Sequence, residues 1–92
     1  MAKVRIELPT VLSQVVGGAR VLEANGETLQ AVFADAFSQC PALEVHLVDE
    51  AGVLREHVLC FLNDENTRWA ESFDRPVSDG DRITILQAVS GG

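Results

Sequence analysis

Ninety-two residues suffice for one domain around one core and are too few for an active-site cleft between two lobes, which favours a binding or carrier role over catalysis. With 47% hydrophobic and 23% charged residues, the chain has a globular composition, far from that of disordered segments. Seven basic against fourteen acidic residues, a net charge of −7, argue against nucleic acid and anionic membranes and point to a protein partner with a basic docking patch, although such a charge also keeps small domains soluble.

The opening "MAKVRIELPT" alternates instead of forming the apolar block of a signal peptide, and no stretch nears the roughly 20 apolar residues that span a bilayer, so a cytoplasmic protein is expected. Val4, Ile6 and Leu8 alternate with Lys3, Arg5 and Glu7, the period of a strand with one buried face, and Pro9 ends it. After a loop and a turn at Gly17 and Gly18, a second strand is predicted over residues 19–23, with apolar side chains on both parities. Leu29, Val32, Phe33, Ala36 and Phe37 fall at i, i+3, i+4, i+7 and i+8 and predict a helix, with Thr28 as N-cap and Pro41 stopping it near Cys40. Between residues 41 and 56 the pattern loosens into a short strand over residues 45–48, a turn at 50–52 and an apolar patch at Val53 and Leu54.

"HVLCFLNDEN" is apolar on both parities, with Val58, Cys60 and Leu62 on one face and Leu59 and Phe61 on the other, as expected of a central strand, and residues 63–66 turn the chain. In "SDGDRITIL" a turn at Asp79 and Gly80 precedes a last strand whose Ile83 and Ile85 alternate with Arg82, Thr84 and Leu86. Strand, strand, helix, strands makes an α+β domain, one sheet covered by one helix on one face. If the helix covers Val4, Ile6, Val58, Cys60, Leu62, Ile83 and Ile85, then Leu59, Phe61 and Leu86 point the other way. They form a contact surface for a partner, or segment 41–56 folds over them.

The usual catalytic signatures are missing: no phosphate-binding glycine loop, no metal-ligand cluster, no nucleophile elbow. Cys40 and Cys60 are too far apart in sequence for a ligand or redox pair and are expected reduced and buried. His46 and His57 read as surface or partly packed residues, Trp69 as a rim or core aromatic, and the acids of "DEAGVLRE" and "NDEN" as solvated loops. The chain ends "AVSGG". At a background glycine usage of roughly 7%, such a pair arises by chance about once in two hundred chains, so alone it decides little.

Taken together, "GETL" opening the helix, the strand ending "FLNDEN", the turn and strand "SDGDRITIL" and the terminal "AVSGG" resemble, over the whole chain, the ubiquitin-like sulfur carriers typified by ThiS and MoaD. Length, the extended segment after the helix and the ending are most similar to the CysO branch, carriers of a cysteine biosynthesis route in actinobacteria. The resemblance implies a β-grasp, a mixed sheet around one main helix, with a domain over residues 1–86 and a flexible tail over residues 87–92. It also implies that a partner enzyme adenylates the carboxylate of Gly92 with ATP and magnesium and converts it to a thiocarboxylate that donates sulfur. Gly91, Ser90 and Val89 would thread into that partner while Leu59, Phe61 and Leu86 dock on it. The chain itself would be a co-substrate without bound cofactor or metal. A sulfur-accepting synthase of the cysteine synthase type, with pyridoxal phosphate, and a metallopeptidase would complete the route.

Gln87 stands where the family commonly has proline and Ser90 where it often has alanine; neither alters the diglycine. The chemistry needs activation, because an ionised carboxylate is inert to nucleophiles until one oxygen joins a good leaving group such as AMP. It needs glycine because a backbone without Cβ fits a narrow channel, and six residues can reach roughly 20 Å. Competing readings are the MoaD-type small subunit of molybdopterin synthase, a protein modifier joined to lysine through Gly92, and a β-grasp interaction module whose tail is idle.

Overall fold

The computed structural model describes residues 2–51, 54–55, 57–67 and 74–87. Five strands, β1 (Ala2–Glu7), β2 (Val21–Gly26), β3 (Val58–Leu62), β4 (Glu65–Asn66) and β5 (Arg82–Gln87), form one sheet in the order β2-β1-β5-β3-β4. β1 and β5 pair in parallel and every other pair is antiparallel. The long helix α2 (Leu29–Gln39) packs across one face, giving the expected α+β β-grasp arrangement.

The alternation read in the sequence sets the faces. Val4, Ile6, Ala24, Val58, Cys60, Leu62, Ile83 and Ile85 are buried on the inner face against Leu29, Val32, Phe33 and Ala36 of α2. Full burial of a large aliphatic or aromatic side chain contributes about 1.5–3 kcal/mol, so this layer supplies most of the driving force. Phe33 and Phe37, one turn apart, stack tilted with ring centroids 5.8 Å apart. Thr28 caps α2, its Oγ1 accepting the Ala31 N–H at 3.2 Å. Gly26 ends β2 directly beneath the first turn of α2; a Cβ there would lie 2.7 Å from the Val32 nitrogen and 2.8 Å from the Ala31 Cβ, so no larger residue fits without moving the helix.

Four expectations are corrected. The second strand runs over Val21–Gly26, later than residues 19–23, because residues 10–18 are largely helical: α1 (Thr10–Ser13) follows Pro9, a 3-10 turn (Gln14–Val16) continues it, and Leu12 drops into the core. Residues 45–48 do not form a strand. Pro41 both ends α2 and occupies the first turn of a third helix, α3 (Pro41–Leu47), where its missing N–H costs nothing. Cys40, between the two helices, is extended at φ −142°, ψ 87°, as a residue before proline prefers. The sheet is therefore covered by more than one helix: Leu43 and Leu47, at i and i+4 on α3, are buried in the same core, and only Val48 makes an isolated bridge, to Leu54. Finally, β3 is not central. β5 holds that place between β1 and β3, while β3 has on its other side only the two-residue β4.

The turn at Asp79 and Gly80 is as expected, with Gly80 at φ +90°, a region side chains avoid. Its amide donates to the Lys3 carbonyl at 3.0 Å and so ties the entry of β5 to β1. Among the described residues no helix is long and apolar enough to cross a membrane.

Candidate functional site: the outer sheet face beside the C-terminal segment

The outer face is built by the parity opposite to the core. On β5, Ile83 and Ile85 point inward, leaving Arg82, Thr84 and Leu86 outward; on β3, Leu59 and Phe61 take the outward positions. Antiparallel register sets Leu59 opposite Leu86 and Phe61 opposite Thr84, and parallel register sets Glu7 beside Thr84 on the other flank. Leu59 is 37% exposed and Leu86 43%, against 2% for Cys60 and 1% for Ile85 between them in sequence, so two leucines lie in water although neighbouring apolar residues do not. Phe61 is half-buried.

The described residues of segment 41–56 do not cover this patch. Its described part turns the other way, with α3 against α2 and Leu43, Leu47 and Val48 in the inner core. A shallow depression of about 360 Å³ adjoins the leucines, lined by Glu7, Phe61, Asp64, Arg82, Thr84 and Leu86 among others. Its rim is fixed by hydrogen bonds. The Asn63 N–H donates to the Arg82 carbonyl at 2.6 Å and the Arg82 N–H donates to Asn63 Oδ1 at 3.1 Å, fastening the β3–β4 turn to the start of β5. Arg82 also meets Asp64 at 3.1 Å, an exposed pair of small energetic weight.

The sequence singled out three patch residues, Leu59, Phe61 and Leu86, and the structure brings them onto one face at the end of β5 that leads into the C-terminal segment. Glu7 was missed as a member, since its place depends on β1 pairing with β5 across more than seventy residues, which local pattern does not reveal. Arg82 shares the outward parity of Leu86 on the last strand but was not singled out. β5 extends through Gln87, paired with Val58. Val89, Ser90, Gly91 and Gly92 lie outside the described residues, as do Trp69, Gly52 and Val53.

The remaining candidates are not assembled into a site. His46 and His57 are exposed, and the acids Asp49, Glu50, Asp64 and Glu65 lie in water, Glu65 paired with Arg75. Cys40 is half-buried, its Sγ 3.9 Å from the Val15 carbonyl oxygen. Cys60 is buried, and burial pushes its thiol from 9.0 up to about 11, an effect a hydrogen bond with Thr67 only partly offsets. Such a thiol is a poor nucleophile. Among the described residues no group of three or more His, Cys, Asp or Glu side chains is placed to hold a metal ion.

The chain is 35% identical to the sulfur carrier protein CysO of Mycobacterium tuberculosis over 91 residues, covering 97% of this chain and 98% of that protein. A crystal structure of the BexX/CysO complex from Amycolatopsis orientalis contains a chain that superposes with a TM-score of 0.84 at 35% identity, covering 97% of this chain and 99% of that one. The solution structure of small archaeal modifier protein 1 from Methanosarcina acetivorans gives a TM-score of 0.84 at 28% identity, with 100% and 98% covered. Residues 6–92 match the family model described as the ThiS family, a match that includes both the outer sheet patch and the diglycine: the chain belongs to the ThiS family.

Proposed function

We propose that this chain is a sulfur carrier, a protein co-substrate rather than an enzyme, serving cysteine or a related sulfur-metabolite biosynthesis. The observation that carries the reading is family membership over residues 6–92 together with 35% identity to a CysO carrier along nearly the whole of both chains. In the first step a carboxylate oxygen of Gly92 attacks the α-phosphorus of ATP on a partner enzyme, with magnesium there, and pyrophosphate leaves. A sulfur nucleophile then displaces AMP at the carbonyl carbon, and the thiocarboxylate left behind keeps the sulfur for the acceptor.

This chain's own contribution is recognition and reach. Leu59, Phe61 and Leu86 present apolar surface whose burial against the adenylating enzyme helps hold the body, while Val89, Ser90, Gly91 and Gly92 enter the active centre. A synthase that accepts the sulfur, with pyridoxal phosphate, and a peptidase that releases the product act afterwards. A second reading, covalent attachment to lysine through Gly92, is favoured by the 28% identity to a small archaeal modifier protein.

Intact mass spectrometry decides between them. After incubation with ATP, magnesium, a sulfide source and an adenylating partner, the chain is expected to exchange one oxygen for sulfur, located to Gly92 by fragmentation. Lysine-linked conjugates in cell extract without that exchange would establish the modifier instead, and no change at Gly92 in either setting would refute both.

A further inference from the structure

A sheet that does not close on itself has two edges, and an uncovered edge invites pairing with another chain. Here one edge is short, β4 with two residues, and the other is the six-residue β2. In its register with β1, β2 alternates between residues whose backbone groups bond to β1 and residues whose groups point away. Glu23 and Asn25 belong to the second set, and both are occupied by α2. Gln39 Nε2 donates to the Glu23 carbonyl at 2.9 Å, Asp35 Oδ2 accepts the Asn25 N–H at 2.8 Å, and Gln39 Nε2 meets Asp35 Oδ2 at 3.2 Å.

The arrangement has the chemistry of one residue of a neighbouring strand. A donor faces the carbonyl of one residue and an acceptor faces the N–H two positions on, as the amide and carbonyl of a parallel strand residue would. Spacing i and i+4 on α2 puts both side chains on one stripe, so a single helix face delivers the pair. Val21, 38% exposed at the start of the same strand, adds apolar surface that an incoming strand could bury.

We propose that Asp35 and Gln39 act as an edge guard, a side-chain substitute for a sixth strand that keeps β2 from pairing with the β2 strand of a second copy of this chain. Any strand added there must first displace both bonds. The inference does not depend on the carrier reading.

Sedimentation velocity on the full chain across a concentration series tests it, with circular dichroism as the check of folding. The native chain and Asp35→Asn, which keeps an acceptor oxygen, are expected to stay monomeric. Asp35→Ala/Gln39→Ala is expected to show a concentration-dependent doubling of mass. Its Asn25 amide should exchange faster than native when dilute and slow again when concentrated. Adding Glu23→Pro, which removes an outward N–H, should return the double variant to monomer. A folded double variant that remains monomeric throughout overturns the proposal, as does a dimer that Glu23→Pro leaves intact. If the double variant does not fold, Asp35→Ser/Gln39→Ser, whose shorter side chains reach neither backbone group, decides by the same readout: a dimer supports the guard and a monomer refutes it.

Discussion

Cys60 shows how one residue's environment becomes a property of the whole protein. Its side chain lies on the inner face of β3, and Thr67 donates to its carbonyl from both backbone N–H and Oγ1 at 3.0 Å. Burial disfavours the thiolate, so the folded chain holds the thiol proton up to about pH 11, whereas an unfolded chain releases it near 9.0. Above 9 the unfolded state therefore binds fewer protons than the native one, and stability falls as pH rises through that window. The contribution is fully present below pH 9 and lost by about pH 11, of order 2–3 kcal/mol. Urea unfolding of the native chain and Cys60→Ala at pH 8 and above pH 10 checks it. The variant is less stable at pH 8 because of its cavity, and the gap is expected to narrow at the higher pH; a gap constant with pH would show that the thiol titrates alike in both states.

At the scale of elements, β3 has one face in the core and the other proposed for docking, and substitutions three residues apart separate the two. Leu62, 4% exposed, faces α2, so Leu62→Ala removes core contacts and is expected to cost about 2–5 kcal/mol. Leu59 faces outward, so Leu59→Ala is expected to cost under about 1 kcal/mol yet slow loading of Gly92 by the adenylating partner. Equal losses of stability would mean that Leu59 is packed, and unchanged loading would remove it from the docking surface. This strand was legible as an apolar run closed by the turn at residues 63–66, whereas its register with β5 was not. Nor was α3. In "PALEVHL" the apolar residues Leu43, Val45 and Leu47 alternate like a strand, while the pair that matters, Leu43 and Leu47, is four apart like a helix. Seven residues cannot separate the two periods, and Pro41, read as a stop, is also a start. α1 is shorter still, four residues whose position comes from Leu12 entering a core built by distant strands. Long elements with many repeats of their period speak for themselves; short ones take their conformation from what they pack against.

At the scale of the whole molecule, the carrier reading separates a body that folds from an end proposed to react. Its buried core runs from Val4 to Ile85 and draws on every strand but β4, while the groups proposed to carry sulfur lie beyond β5. The diglycine is a reading of sequence and family resemblance alone, since residues 91–92 lie outside the described residues. The patch needed the sheet, since Leu59 and Leu86 meet only through the β3–β5 register. Glycine has no side chain, so deleting Gly91 and Gly92 removes no apolar side chain from the protein. A truncated chain is therefore expected to melt at the native temperature and still to compete with the native chain for the adenylating enzyme through Leu59, Phe61 and Leu86. It should accept no sulfur at all. Calorimetry, a competition assay and intact mass together test the separation: loss of folding on truncation would place the end within the body, loss of competition would place recognition in the tail, and retained sulfur loading would place the reactive group elsewhere in the chain.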